Sequence, residues 1–153
     1  MKDDFVISRL EECDAEEAIS LALVNFGEDV RSKAESEVSE YLKNSHYSPF
    51  IYVVKNKNEV VGFIMFHEVA MHPNMQSFSW LCVKDGYRKY NLGRKLIEYA
   101  EKDTIDNIWK SMSGTFIGVS VIGYKYHKRL GYEYFGETHD GYPFVVKRYV
   151  NDK

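Results

Sequence analysis

The spacing of apolar positions changes along the chain, and the changes mark out its elements. Phe5-Val6-Ile7-Ser8-Arg9-Leu10 suits a first strand. Ala15, Ala18, Ile19, Ala22, Leu23 and Phe26 then recur at helical spacing as one stripe. Asp14 with Glu17 three residues on predicts a capping-box start to that helix, and Gly27 predicts a left-handed cap at its end. Val30, Ala34, Val38, Tyr41 and Leu42 form the stripe of a second helix, with Glu28, Glu35, Glu37 and Glu40 between or beside them. From Pro49 the runs become strand-like. Residues 50–54 and 60–66, separated at Asn56-Lys57-Asn58, predict a hairpin.

A turn around His72-Pro73-Asn74 leads to a third apolar run at 77–83. Next comes a helix with Leu92, Leu96, Ile97 and Ala100 on one face, then a shorter helical segment about Ile105, Ile108 and Trp109. A strand at 115–119, a helix of one or two turns, a Leu130-Gly131-Tyr132 corner and a final strand at 144–146 complete the pattern. No repeat or low-complexity tract interrupts it. A length of 153 residues predicts a single domain, 1–153, with a sizeable core.

Charge divides the chain unevenly. Residues 1–45 hold 12 acids and 5 bases (net −7), and the remainder holds 11 acids and 15 bases (net +4). A general nucleic-acid binder would need a broad basic face, so that class is not expected. An anionic ligand on the basic part fits better. Cys13 and Cys82 lie far apart without metal-ligand spacing, so no metal site is expected and a reduced, cytoplasmic protein is. No run approaches the roughly 18 apolar residues of a membrane span. The 12 tyrosines permit a homodimer interface.

The candidate chemistry begins where the strand ending Trp80-Leu81-Cys82-Val83 meets a basic turn that opens a helix. Lys84, Arg88, Lys89, Arg94 and Lys95 are cationic, and a helix start supplies unpaired N–H groups and the positive end of a dipole. Arg88-Lys89-Tyr90-Asn91-Leu92-Gly93 resembles the Q/RxxGxG/A signature of the GNAT family of N-acetyltransferases. Asn91 stands where the family usually has its first glycine, and asparagine tolerates positive φ. Some thirty residues on, Tyr126-His127-Lys128-Arg129-Leu130-Gly131-Tyr132 resembles the family's FYxKLGF segment. No GxGxxG is present, which weighs against a dinucleotide-binding fold.

The resemblance implies an α/β GNAT fold: a mixed central sheet of six to seven strands, helices on both faces, and a splayed strand pair holding acetyl-CoA. It implies transfer of the acetyl group to a primary amine by direct attack through a tetrahedral intermediate. Leu81, Cys82 and Val83 would lie along the pantetheine arm. Arg88, Lys89, Tyr90, Asn91, Leu92, Gly93 and Arg94 would wrap the pyrophosphate. Ser120 stands where the family often has a cofactor-contacting asparagine, and Tyr126 borders the cofactor. His127 occupies the position of the usual tyrosine acid, with Tyr126 and Tyr124 as alternatives. Where some relatives carry a catalytic glutamate, this chain has Ser77, and His67, Glu68 and His72 are the nearby ionisable groups. The acids of the first two helices would attract a cationic amine such as a polyamine, an aminoglycoside or a lysine-rich peptide. Ser77 and His127 leave room for an alternative, a non-catalytic relative that binds acetyl-CoA, CoA or a protein partner.

Overall fold

The computed structural model describes residues 4–44, 48–70 and 74–152. Its strands are β1 (Phe5–Arg9), β2 (Phe50–Asn56), β3 (Glu59–Glu68), β4 (Met75–Val83), β5 (Gly114–Val119), β6 (Glu133–Glu137) and β7 (Pro143–Tyr149). The helices are α1 (Ala15–Phe26), α2 (Arg31–Lys43), α3 (Leu92–Asp103) and α4 (Tyr124–Arg129). The strands form a mixed sheet in the order β1-β2-β3-β4-β5-β7-β6. The chain makes two compact units, residues 1–66 with 80–100 and residues 67–79 with 101–153.

In the first unit β1 and β3 flank β2, both antiparallel to it. Phe50 through Val54 are all buried, which explains the unbroken apolar run: a strand covered on both faces has no solvent-facing positions. Ile51 and Val53 join Ala18, Leu21 and Ala22 of α1 and Ala34, Val38 and Tyr41 of α2 in one apolar cluster. On the other face Tyr52 meets Tyr99 of α3 edge-on at 5.9 Å. The expected α3 stripe of Leu92, Leu96, Ile97 and Ala100 is fully buried.

Three local expectations for α1 are corrected. The Asp14–Glu17 capping box does not form, because both carboxylates are drawn to the sheet. Asp14 accepts the backbone N–H of Glu11 at 2.9 Å and pairs with Lys55 of β2 at 3.0 Å, while Glu17 accepts the N–H of Val60 at 3.1 Å. The stripe also shifts, since Leu21 is buried and Phe26 is 48% exposed. Gly27 ends the helix at positive φ, but its ψ of 167° is extended rather than left-handed helical.

The second unit pairs β5 with β7 and β7 with β6, both antiparallel. Here β4 runs parallel to β5 over three residues, Met75–Ser77 against Thr115–Ile117. Trp109 is buried on Phe116 at 4.7 Å, and its ring covers Gly114, where an added Cβ would lie 2.5 Å from it. The segment around Ile105 and Ile108 is a single π-type turn, Thr104–Ile108. Strand β6, which the apolar pattern does not separate from the end of the chain, has mostly exposed residues.

Candidate functional site

The basic turn is built from short-range hydrogen bonds. The N–H of Tyr87 donates to the Lys84 carbonyl at 3.1 Å, and that of Tyr90 to the Tyr87 carbonyl at 3.2 Å. Arg88–Tyr90 form one 3-10 turn, and Asn91 follows in the left-handed region at φ 57°, ψ 33°. Asn91 then turns the chain into α3, its carbonyl accepting the N–H of Lys95 at 3.1 Å. The N–H groups of Leu92, Gly93 and Arg94 belong to the first helical turn, which has no intrahelical acceptors for them. Leu92 is fully buried and anchors this start, whereas Arg88, Lys89, Asn91 and Arg94 are exposed.

The cations around the turn are held by weak surface contacts. Lys84 pairs with Glu59 at 2.6 Å, Arg88 with Asp85 at 3.1 Å and Arg94 with Glu98 at 2.9 Å. Lys89 lies over the Tyr90 ring and Lys95 over the Phe5 ring. Exposed pairs of this kind are easily exchanged, so a polyanion can recruit these side chains at little cost. Arg88 also donates to the Asn25 side chain of α1 at 3.4 Å. Beside it opens a cavity of about 770 Å³, with Leu21, Val24 and Val60 among its apolar lining and Glu16, Lys84 and Arg88 among its charged lining.

Upstream of the turn, Trp80 within β4 takes a φ of 54°, rare for a bulky L residue. Cys82 is buried, and burial pushes its thiol pKa up to about 12. Leu81 and Val83 are partly exposed.

In the second unit, α4 puts His127 into a closed setting. Its side chain is 3% exposed and stacks on Phe78 at 4.9 Å, and Tyr132 meets it edge-on at 5.5 Å. Ser120 is fully buried, and its Oγ lies 2.6 Å from Nδ1 of His127. The same oxygen accepts the N–H of Gly123 at 3.2 Å. Burial lowers the His127 pKa to about 4, so the ring is uncharged at neutral pH.

Tyr124 and Tyr126 are both partly buried on the same helix, with Tyr124 packed on Tyr134 at 5.7 Å and Tyr126 edge-on to His127 at 5.2 Å. On β3, His67 Nδ1 lies 3.4 Å from the hydroxyl of Ser79, and Glu68 is exposed. His72 lies outside the described residues.

An acetyltransferase (GNAT) domain profile matches residues 48–134, more than half of the chain. The chain belongs to the GNAT acetyltransferase family. No curated protein matches it in sequence. Among solved structures it is similar in fold to a GNAT family N-acetyltransferase from Escherichia coli in complex with CoA. That match has a TM-score of 0.74 at 18% identity and covers 97% of this chain and 83% of the other. It is also similar to the PaiA N-acetyltransferase of Thermoplasma acidophilum in complex with coenzyme A, at TM-score 0.69 and 18% identity over 95% and 99% of the two chains. The aminoglycoside 6'-N-acetyltransferase of Enterococcus faecium gives TM-score 0.70 and 16% identity over 94% and 96%.

Seen as a GNAT protein, the chain brings Leu81–Val83 and Arg88–Arg94 together in its first unit, as one strand end and the turn that follows it. Ser120, Tyr124, Tyr126 and His127 belong to the second unit. Ser120 is expected at the cofactor, yet its hydroxyl is fully buried and engaged with His127 and Gly123. His127, expected as the acid, is a buried neutral imidazole. No local residue pattern announces the backbone conformation of Trp80. Among the described residues, no group of three His, Cys, Asp or Glu side chains could hold a metal ion, and no helix is long and apolar enough to cross a membrane.

Proposed function

We propose that this GNAT protein transfers the acetyl group of acetyl-CoA to a primary amine. The single observation that carries the reading is the left-handed Asn91 at the start of α3. It gives an asparagine the backbone conformation that the family's glycine would take, and so builds the anion-holding turn without glycine at that position. The first-turn N–H groups of Leu92, Gly93 and Arg94, with the side chains of Arg88 and Lys89, hold the pyrophosphate. The backbone of Leu81, Cys82 and Val83 runs along the pantetheine, and an N–H near Leu81 takes the oxyanion.

In the reaction the amine nitrogen, as free base, bonds to the thioester carbonyl carbon. The tetrahedral intermediate expels the thiolate by breaking the C–S bond, and the nitrogen gives up a proton as the thiolate takes one. We assign the second proton to Tyr126 rather than His127, since an imidazole with a pKa near 4 is not an imidazolium at neutral pH and its remaining N–H is a far weaker acid than a tyrosine hydroxyl. The acids along α1 and α2, and the similarity in fold to an aminoglycoside 6'-N-acetyltransferase, support a cationic acceptor.

Thermal shift with acetyl-CoA, CoA and NAD tests the first half. A micromolar ligand at about 1 mM stabilises by about 4 kcal/mol. Acetyl-CoA and CoA should raise Tm where NAD does not, and no shift would remove the reading. Thiol release across a panel of amines tests the second half, with Tyr126→Phe expected to slow turnover at saturating substrate. The buried neutral His127 and the serine at position 77 favour one further reading, a GNAT-fold protein that binds acetyl-CoA without turnover. A thermal shift by acetyl-CoA with no thiol release on any amine would select it.

A further inference from the structure

Trp80 is the one aromatic residue among the described residues that carries a left-handed φ. Strained backbone at a bulky residue persists only where the surroundings hold it, and it concentrates where a side chain must be aimed. The indole packs against the apolar cluster beneath α1 and α2 but stays partly exposed. Phe26, the last residue of α1, meets it edge-on at 5.6 Å and is itself 48% exposed. The ammonium of Lys33 on α2 lies 5.8 Å from the indole centroid, within cation–π range. Two aromatic side chains thus form a half-open corner, occupied by an ammonium of the protein's own. Leu81, the first residue assigned to the pantetheine path, follows Trp80 directly.

On the segment joining α1 to α2 Asp29 is exposed, and in the first turn of α2 Arg31 is engaged with Glu28 at 2.7 Å while Lys33 is exposed. Lys33 on its flexible stem is therefore the occupant most easily displaced.

We propose that Phe26 and Trp80 recognise the acceptor through a second, protonated nitrogen, and that Lys33 holds this place until the acceptor displaces it. The acceptor class is a diamine or polyamine. One nitrogen attacks as the free base, while the other stays charged over the indole. This deepens the acetyl-transfer reading and rests on it.

The test compares kcat/KM for 1,4-diaminobutane and for butylamine, which share a carbon chain and differ by one ammonium. Wild type should prefer the diamine. Trp80→Leu should lower diamine kcat/KM about tenfold and leave butylamine within about twofold, Trp80→Phe should keep most of the preference, and Phe26→Leu should lower it partway. Lys33→Ala should raise diamine kcat/KM several-fold by clearing the ring. Equal losses on both amines in Trp80→Leu and Phe26→Leu, or an unchanged preference in Lys33→Ala, would overturn the proposal.

Intrinsic fluorescence gives a readout that does not need turnover, because the only other tryptophan, Trp109, is 1% exposed. In the presence of CoA, 1,4-diaminobutane should produce a saturable, salt-sensitive change that Lys33→Ala strengthens and Trp80→Phe removes. Without such a change the corner is not a cation site. If the change is present while wild type acetylates neither amine, the acetyl-transfer reading fails and the corner stands.

Discussion

The hydroxyl of Ser120 lies 2.6 Å from Nδ1 of His127, and both side chains are buried in the second unit. Burial against Phe78 and Tyr132 turns a residue that looks like an acid–base group into a packed, neutral ring.

Its signature is a pH dependence of stability. In the unfolded chain His127 takes a proton as pH falls through about 6.5, whereas in the folded protein burial holds its pKa down at about 4. Unfolding therefore takes up a proton between these values, and the contribution is fully present above about 6.5 and lost as pH falls toward 4. Urea midpoints measured from pH 8 to pH 4 should decline over this window in wild type and decline less in His127→Asn. Parallel curves for the two proteins would mean that the ring protonates freely in the folded state.

Asn91 should respond in opposite ways to two substitutions. At φ 57° an alanine costs about 1 kcal/mol, while glycine takes the conformation without a Cβ penalty. Asn91→Gly should thus keep stability within about 0.5 kcal/mol and retain CoA binding, and Asn91→Ala should lose both stability and affinity. Calorimetric titration with CoA beside a denaturation curve checks this. Tighter binding in Asn91→Ala would show that the left-handed turn is not what holds the ligand.

Asp14 joins three partners at once: the Glu11 N–H, the Cys13 thiol and the Lys55 ammonium. Its side chain is 4% exposed and that of Lys55 20%, so removing the acid strands a half-shielded cation. Asp14→Ala should cost about 2 kcal/mol, less than the loss of a fully buried pair because Lys55 can reach water. Lys55→Met should cost less than Asp14→Ala, because the capping contact to Glu11 survives. Chemical denaturation of both variants measures the difference, and the reverse order would place the stabilising role on the lysine.

The two thiols should react differently. Burial pushes Cys82 up to about 12, and the charge of Asp14, with some desolvation, raises the exposed Cys13. Iodoacetamide at pH 7.5 should therefore label Cys13 slowly and Cys82 only after unfolding. Mass spectrometry with and without urea distinguishes the sites, and native labelling of Cys82 at the rate of Cys13 would contradict the buried placement.

Much of the fold was legible where a residue's environment repeats with its own element. The α3 stripe of Leu92, Leu96, Ile97 and Ala100 is buried as its spacing predicts, because one face of that helix meets one apolar surface. Strands β2 and β3 announce themselves as unbroken apolar runs, because both faces of their sheet are covered in the first unit. Strand β6 stays hidden in the pattern because residues such as Tyr134 and Phe135 are exposed and leave no buried alternation. Asp14 and Glu17 misled for another reason. Their spacing suits a capping box, yet Lys55 and the Val60 N–H, 41 and 43 residues away in sequence, offer the carboxylates partners in the sheet.

By itself the sequence determined the basic turn: a strand, a short basic loop, an asparagine able to turn left-handed and a helix start are all local, and backbone sterics act over neighbouring residues. The two motifs also carried the family. Tertiary structure alone decided that His127 is neutral and Ser120 engaged, because a proton's affinity depends on which groups close around it. It likewise aimed the indole of Trp80 at Phe26 and Lys33, residues 54 and 47 positions earlier in the chain. Desolvation and aromatic contact are properties of proximity in space, and folding alone brings those residues together.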